Sequence, residues 1–223
     1  MPDATTLQFV DDDGIWAQIV NRAPGPVRRP ALFIDRDGVV VEEVPYLHDV
    51  QKARIVPGAL NAIRAANRRA IPVIMVTNQG GIGIGYYGWE DFRILQDWIW
   101  NQLANADAFV NGLFACPFHP DGKGLFRKAD HPDRKPNPGM ILRAAEMFPV
   151  DLGRSWMVGD RDVDMRAARA AGLQGGVLVG SEHNTSAATR KDAATLSKGG
   201  FQVVVCDDRY HMSGALSPLW SAG

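Results

Sequence analysis

The segment ALFIDRDGVV (31–40) places two aspartates, Asp35 and Asp37, directly after four apolar residues. A short apolar run without polar interruption is typical of a strand that is covered on both faces of a sheet. Comparable runs recur along the chain as IPVIMV (71–76), FVNGLFAC (109–116), SWMVG (155–159), GVLVG (176–180) and QVVVC (202–206). These runs predict the strands of one sheet.

Helical patterns lie between these runs. Pro57 opens a segment with apolar residues at helical spacing, and Phe92, Leu95 and Ile99 fall on one face of a helix that starts near Trp89. Two further helices are predicted over 140–148 and 163–171. Strands that alternate with helices indicate an α/β domain with a doubly wound parallel sheet and right-handed crossovers.

The length of 223 residues corresponds to one domain with additions, since domains average about 150 residues. The Pro/Gly/Arg-rich stretch NRAPGPVRRP ends at residue 30, so we expect an N-terminal arm over 1–30, a domain over 31–210 and a C-terminal tail over 211–223. Residues 181–200 carry no apolar stripe and are expected to form an exposed connection with one short surface helix.

The composition excludes several classes of protein. The 24 basic and 25 acidic residues give a net charge of −1, which provides no general attraction to nucleic acid or to anionic lipid. The sequence has neither a secretory signal pattern nor an apolar run of about 18 residues, the length that a membrane span needs. Two cysteines cannot form a disulfide framework. We therefore expect a cytoplasmic monomer without nucleic-acid or membrane partners.

Polar side chains follow three of the predicted strands. Asp35 and Asp37 follow the first, Thr77 and Asn78 follow the second, and Asp160 follows SWMVG, with Asp164 four residues later. Ligands of such sheets bind outside the carboxyl ends of the strands. Lys135, in RKPNPGM (134–140), precedes the helix that leads into the Asp160 strand and is a further candidate.

These acids predict a metal site. Asp35 and Asp37 are two residues apart, so both carboxylates point to the same side of an extended chain. If Asp160 lies beside them, each pair at about 4 Å repels by about 1–4 kcal/mol, depending on the effective dielectric. Ligand sets made only of oxygen select Mg²⁺, which is completed by water and phosphate. We expect Asp35, Asp37 and Asp160 to hold Mg²⁺.

A carboxylate beside Mg²⁺ and a phosphate can attack phosphorus and form an aspartyl-phosphate. Asp37 can serve as general acid and base, while Thr77 and Lys135 stabilise charge on the phosphoryl oxygens. The alternative is structural: the DxDG string as a turn, Asp160 and Asp164 as acids at a helix start, and Lys135 as a solvated lysine. Because the candidates stand at three strand ends of one predicted sheet, the catalytic interpretation is preferred.

Four motifs, in order along the chain, resemble those of the haloacid dehalogenase (HAD) superfamily of phosphotransferases. They are DRDGVV (35–40), VTNQ (76–79), RKPNPGM (134–140) and VGDRDVDM (158–165). More narrowly, Tyr46, TNQGGIGIGYY (77–87) and CPFHPDG (116–122) resemble the branch that contains the D,D-heptose 1,7-bisphosphate phosphatases and the histidinol-phosphate phosphatases. The resemblance implies a Rossmann-like fold with a small cap made of loops.

The resemblance also implies roles for individual residues. Asp35 would be the nucleophile and a Mg²⁺ ligand, Asp37 the acid/base with its backbone carbonyl on the metal, and Asp160 the residue that completes the metal site. Thr77 and Lys135 would stabilise the phosphoryl group, and Asp164 would act indirectly. Four residues would contact substrate: Tyr46, Asn78, Arg134 and Arg161.

The chain departs from the family pattern in two loops. The positions that match the Cys, His, Cys and Cys ligands of a structural Zn²⁺ in relatives hold Cys116, Phe118, His131 and Asp133. Cys116, His119, His131 and Asp133 could regroup around zinc; the preferred interpretation packs Cys116 in a loop and leaves both histidines at the surface. In the second motif, TNQGGIGIGYY lacks the arginine of the relatives' TNQSGIARGY, so recognition of a second phosphate stays open.

The expected function is a Mg²⁺-dependent phosphatase that acts on a small phosphorylated metabolite, either a sugar phosphate or a bisphosphate such as D,D-heptose 1,7-bisphosphate. A histidinol-phosphate phosphatase is the alternative within the same branch. A phosphotransferase or phosphomutase would pass the phosphoryl group to an acceptor other than water, but it usually needs a closing lid, and no long insertion follows the first motif. A non-catalytic phosphate-binding protein is the third possibility.

Overall fold

The computed structural model describes residues 9–21, 25–180 and 195–221. Seven strands form one sheet: β1 (Trp16–Ile19), β2 (Leu32–Ile34), β3 (Val73–Asn78), β4 (Gly112–Cys116), β5 (Trp156–Gly159), β6 (Gly175–Val179) and β7 (Gln202–Cys206). Their order is β1-β4-β3-β2-β5-β6-β7, and every neighbouring pair is parallel except β1 with β4. The predicted doubly wound parallel sheet is confirmed, with one antiparallel edge strand.

The described helices connect these strands and flank the sheet. They are α1 (Pro57–Arg68), α2 (Gly80–Ile84), α3 (Trp89–Asn105), α4 (Gly139–Met147), α5 (Asp162–Ala170), α6 (Met212–Ala215) and α7 (Ser217–Trp220). Pro57 occupies the first turn of α1, where the missing amide proton costs nothing because the first helical N–H groups have no partner within the helix.

Both faces of the sheet are buried, which explains the uninterrupted apolar runs. Along β2, Leu32 and Ile34 belong to one core together with Ile63 of α1 and Phe92 of α3. Phe33, which points to the opposite face, packs in a second core that includes residues of α4 and α5. Full burial of such side chains stabilises the fold by about 1.5–3 kcal/mol each.

The structure corrects the expected start of the folded core at Ala31. Strand β1 pairs with β4 from Trp16↔Ala115 to Ile19↔Gly112, and Trp16 is buried against Phe9, Trp89 and Phe92. The sequence did not reveal this strand because only one of its four residues is fully buried, as an edge position allows. Residues 16–19 are therefore part of the sheet, and Ile15 and Trp16 are part of the core.

The expected C-terminal tail also packs on the domain. Met212, Leu216 and Leu219 are completely buried and join the core beneath α1. In addition, Arg209 pairs with Glu42 at 2.6 Å and thereby ties this end of the chain to the segment after β2. The expected surface helix within 181–200 falls mainly on residues 181–194, which lie outside the described residues.

None of the helices in the described ranges combines the length and the apolar character that crossing a membrane would require.

Candidate active site

The sheet order brings three strand ends together. Strand β2 lies between β3 and β5, with Ile34 level with Met75 on one side and with Val158 on the other. Asp35 therefore emerges between the end of β3, which carries Thr77, and Asp160, which follows β5. The carboxyl end of the sheet thus brings together the residues that the sequence marked at separate strands.

Three carboxylates form the centre of the site. Asp35, Asp160 and Asp164 each offer an oxygen within 4.8 Å of the others, and all three are buried. Gly38 has a φ of 79°, and a Cβ at this position would collide with the Asp160 carboxylate. Asp164 lies in the first turn of α5 and accepts a 3.0 Å hydrogen bond from the Arg161 amide. Asp164, expected to act indirectly, is therefore a direct member of this acidic group.

Lys135 inserts its ammonium group between two of these acids. Its Nζ lies 2.9 Å from Asp35 Oδ1 and 2.6 Å from Asp164 Oδ1, and it donates to the Val76 carbonyl at 2.9 Å. Burial alone would lower the pKa of Lys135, but the attraction of Asp164 and Asp35 outweighs it and holds the pKa above its usual value. The lysine is therefore a fixed positive charge at the site.

The side-chain amide of Asn78 binds the backbone of Lys135 and thereby positions this residue. Its Oδ1 accepts from the Lys135 amide at 3.0 Å, and its Nδ2 donates to the Lys135 carbonyl at 3.0 Å. This pair of bonds links the end of β3 to the loop before α4. Contact between Asn78 and substrate stays a prediction.

The acidic group carries more negative charge than Lys135 neutralises. Burial raises the pKa of Asp35 to about 7, with Lys135 lowering it and Asp164 and Asp37 raising it further. Burial raises the pKa of Asp160 to about 8, and the nearby charges of Asp164 and Asp35 contribute to this rise. A divalent cation would relieve this repulsion, and a donor set made only of carboxylate oxygens fits Mg²⁺.

The Asp37 carboxylate makes a different set of contacts. Arg36 donates to it through Nε at 3.1 Å and through Nη2 at 3.0 Å, and Gln79 Nε2 donates to Oδ2 at 2.8 Å. Its side chain is thus held apart from the three clustered acids. Metal ligation by Asp37 through its backbone carbonyl stays a prediction.

A cavity of about 490 Å³ opens above these residues. Its walls include Tyr46, Arg134 and Arg161, the residues expected to contact substrate. Arg134 donates to the Phe118 carbonyl at 2.7 Å, and Arg161 pairs with Glu43 at 2.7 Å. Tyr46 has a φ of 52°, an uncommon conformation for a residue with a side chain, and its ring packs against Tyr86. Substrate contacts of these residues remain predictions.

The glycine-rich stretch after β3 begins with a closely packed helix. Gly80–Ile84 forms α2, in which a Cβ at Gly83 would collide with the Pro117 carbonyl and a Cβ at Gly81 with the Tyr87 ring. The glycines therefore allow close packing between this helix and the loop 117–138, which runs along the cavity with His119 and Arg134 in its wall.

The loop positions considered for zinc make other contacts. The Phe118 ring stacks on His131 at 3.7 Å and 8°, which corrects the surface position expected for His131. Cys116 is buried at the end of β4, and burial raises the pKa of its thiol to about 12. Among the described residues, the group able to hold a metal consists of Asp35, Asp160 and Asp164 and includes none of the four candidates.

Arg143 binds three carboxylates beside this loop. Its guanidinium contacts Asp133 at 2.9 Å, Asp11 at 2.7 Å and Asp13 at 2.6 Å. It thus joins α4, the loop and the chain before β1.

We expect Arg143→Met to lower the free energy of unfolding by about 1–3 kcal/mol, between the values for exposed and buried ion pairs because Arg143 is partly exposed. The exposed Arg127, in the same loop, provides the control Arg127→Met, for which no comparable loss is expected. Urea unfolding of both variants measures the difference. Equal stability of the two would contradict the bracing role, and stoichiometric zinc in the purified protein would restore the metal hypothesis.

Sequence reasoning assigned no catalytic or positioning role to the three residues around Asp37, which are Arg36, Gln79 and Tyr87. All three are buried at the site. Arg36 and Gln79 lie within the quoted motifs DRDGVV and VTNQ, but nothing in a pattern shows that residues 43 positions apart share a hydrogen bond.

Comparison with known proteins identifies relatives of the chain. A family model described as HAD-hydrolase-like matches residues 133–199. The D-glycero-β-D-manno-heptose-1,7-bisphosphate 7-phosphatase of Mesorhizobium japonicum is 41% identical over 183 residues, which cover 82% of this chain and 84% of that protein.

Two solved structures extend this similarity. A HAD-like phosphatase from Mesorhizobium loti has a TM-score of 0.84 at 35% identity and covers 96% of this chain and 97% of that one. The D,D-heptose 1,7-bisphosphate phosphatase from B. bronchiseptica, complexed with magnesium and phosphate, has a TM-score of 0.66 at 30% identity, with 84% and 97% covered. With its four ordered motifs and its sheet topology, the chain belongs to the phosphatases of the HAD superfamily.

Proposed function

We propose that this chain is a Mg²⁺-dependent phosphatase that hydrolyses a small sugar phosphate through an aspartyl-phosphate on Asp35. One observation carries the proposal: the Asp35 carboxylate lies at the end of the central strand, 2.9 Å from Lys135, at the floor of a cavity of about 490 Å³. The neighbouring Asp160 and Asp164 supply further oxygen ligands.

The first half of the reaction follows from these positions. Lys135 Nζ and the Arg36 amide both contact Asp35 Oδ1, which leaves Oδ2 to attack phosphorus. A bond forms between Oδ2 and phosphorus while the ester P–O bond breaks, and Asp37 gives its proton to the departing sugar oxygen. Lys135 and the Thr77 hydroxyl stabilise negative charge on the phosphoryl oxygens.

The second half releases phosphate. Asp37, now ionised, takes a proton from a water molecule as the water oxygen attacks phosphorus, and the bond between phosphorus and Asp35 breaks. Phosphate leaves with the proton balance restored, since Asp37 is again protonated. Mg²⁺, held by Asp35, Asp160 and Asp164, would neutralise phosphoryl charge.

The substrate proposal rests on the relatives and on the cavity. The M. japonicum and B. bronchiseptica proteins are named for heptose 1,7-bisphosphate. In this chain, Arg134 and Arg161 place two guanidinium groups in the cavity wall, where they can bind a second phosphate. We therefore propose a heptose 1,7-bisphosphate, cleaved at the phosphate that reaches Asp35.

Phosphate release from a panel of substrates tests this function. The panel contains heptose 1,7-bisphosphate, sugar monophosphates and histidinol phosphate, each with Mg²⁺ and with EDTA. We expect the highest kcat/KM for the bisphosphate and loss of activity in EDTA. A preference for histidinol phosphate would assign the chain to the other activity of the branch, and activity that is indifferent to EDTA would reject the metal-dependent mechanism.

The crowded carboxylates predict a pH-dependent effect of Mg²⁺ on stability. The pKa values of Asp35 and Asp160 lie above the usual range of aspartate, so these two groups bind more protons in the folded chain than in the unfolded chain. Their contribution to stability therefore falls as pH rises from about 4 to about 8. Mg²⁺ replaces these protons. We expect saturating Mg²⁺ to raise Tm more at about pH 8.5 than at about pH 6, by roughly 4 °C. Thermal melts at the two pH values measure this, and an equal rise at both would contradict it.

A further inference from the structure

The side chain of Gln79 lies at the centre of a buried network beside Asp37. Its Nε2 donates to Asp37 Oδ2 and to Thr77 Oγ1, both at 2.8 Å. Its Oε1 accepts from the Tyr87 hydroxyl at 2.6 Å and from Arg36 Nη2 at 3.0 Å. Gln79 is only 2% exposed, so its amide groups depend on these four side-chain partners.

The chemistry of the partners fixes the orientation of the amide. The Arg36 guanidinium can only donate, so the amide atom that faces it must be the oxygen. Reversing the amide would place Nε2 against the guanidinium, and this contact between two donors would be repulsive. Burial raises the pKa of Tyr87 to about 12, so its hydroxyl keeps its proton and donates to Oε1.

We propose that Gln79 is a positioning residue that aligns both the acid/base Asp37 and the Thr77 hydroxyl for phosphoryl transfer. The inference rests on the proposed function, because it assigns Gln79 a task within that reaction. Arg36 and Tyr87 hold the amide, and the amide holds the two reactive side chains.

The effect on Thr77 follows from hydrogen-bond direction. Because Thr77 Oγ1 accepts from Gln79, its own hydroxyl proton is available for another acceptor, and Thr77 lines the cavity. That acceptor is a phosphoryl oxygen of the substrate. Without Gln79, the Thr77 hydroxyl could rotate and donate its proton to a different acceptor.

Gln79 also fixes the orientation of the Asp37 side chain. The Asp37 side chain is 28% exposed and has room to adopt other rotamers. Arg36 binds the carboxylate edge, but the bond to Oδ2 comes from Gln79, directly after β3, and fixes the side chain relative to the phosphoryl site. A general acid must lie within hydrogen-bond reach of the leaving oxygen, so lost alignment slows protonation of that oxygen.

Leaving-group dependence separates this role from a structural one. A sugar phosphate releases an alkoxide that needs a proton, whereas 4-nitrophenyl phosphate releases a stable phenolate that does not. We expect Gln79→Glu, which keeps the size and the acceptor oxygen but loses the donors, to reduce kcat/KM for the sugar phosphate by about 10²-fold. The ratio of sugar phosphate to 4-nitrophenyl phosphate activity should fall at least about tenfold.

Gln96 supplies a matched control. It is a glutamine of equal burial on α3, its Nε2 lies 3.9 Å from Met75 Sδ, and it does not line the cavity. Gln96→Met should leave the activity ratio unchanged. If Gln79→Glu does not fold in a thermal melt, Tyr87→Phe removes a single hydroxyl from the network and should still lower the ratio about threefold.

The outcomes separate the inference from the function it rests on. A wild-type protein that cleaves neither ester would reject the proposed phosphatase. An Asp37→Asn variant with an unchanged ratio would reject the acid/base assignment. If wild type is active and Asp37→Asn lowers the ratio, but the Gln79 and Tyr87 variants that fold leave it unchanged, the positioning role of Gln79 is overturned.

Discussion

Asp35→Asn is expected to reduce kcat for the best sugar phosphate by about 10⁴-fold or more while leaving the fold intact. The amide cannot form the bond to phosphorus on which both halves of the proposed reaction depend. Its shape nevertheless fits the same space, and the Arg36 amide can still donate to the remaining side-chain oxygen. Steady-state phosphate release, read against a blank without enzyme, measures the loss.

The Tm of Asp35→Asn shows whether the variant loses activity because the chemistry fails or because the protein no longer folds. Burial and the neighbouring acids raise the pKa of Asp35, so a neutral side chain at this position relieves repulsion as well as losing the contact with Lys135. We expect a Tm within a few degrees of wild type in EDTA. Quenching the reaction with acid should trap a labelled phosphoryl group on wild type and none on Asp35→Asn. Retained turnover, or a label that persists in the variant, would remove Asp35 from the role of nucleophile.

The strand ends could be predicted because their physics is local. A run such as ALFI has no polar face, so it must be a strand buried on both sides, and parallel strands share one carboxyl edge. The sequence alone therefore predicts that Asp35, Thr77 and Asp160 lie at one edge of the sheet. The search for uninterrupted apolar runs did not identify β1, because an edge strand can keep polar and exposed residues such as Gln18 and Ile19.

Contacts between distant side chains could not be predicted in the same way. The position of Gln79 beside Asp37 depends on the relative register of β2 and β3, and on Tyr87 turning back from the helix that follows. The pairing of Asp133 with Arg143, and the stacking of Phe118 on His131, likewise require the folded loop. Residue types alone left zinc open there, because histidine, cysteine and aspartate serve equally well as ligands and as packing partners.

Lys135→Met is expected to weaken both catalysis and the fold, and the two effects respond differently to Mg²⁺. The lysine is 3% exposed and contacts Asp35 and Asp164, so its removal leaves buried carboxylates without their cationic partner. Breaking a buried pair in this way destabilises a protein by about 3–5 kcal/mol. The exposed Lys52, paired with Asp49 at 3.9 Å, gives the control Lys52→Met, which should change stability by less than about 1 kcal/mol.

The loss of stability in Lys135→Met should increase with pH. Protonation of Asp35 relieves the uncompensated charge, so the stability deficit of Lys135→Met should be small at about pH 5 and should grow as pH rises through the raised pKa of Asp35.

Saturating Mg²⁺ should restore most of the lost stability at about pH 8, because it neutralises the same carboxylates. It should not restore kcat, which we expect to be about 10²–10³-fold below wild type, since phosphoryl charge in the transition state still lacks the ammonium group. Urea unfolding and phosphate release, each with Mg²⁺ and with EDTA, test both parts. Recovery of kcat together with stability would mean that Lys135 serves the fold alone, and its place between two acids would then be a structural ion pair.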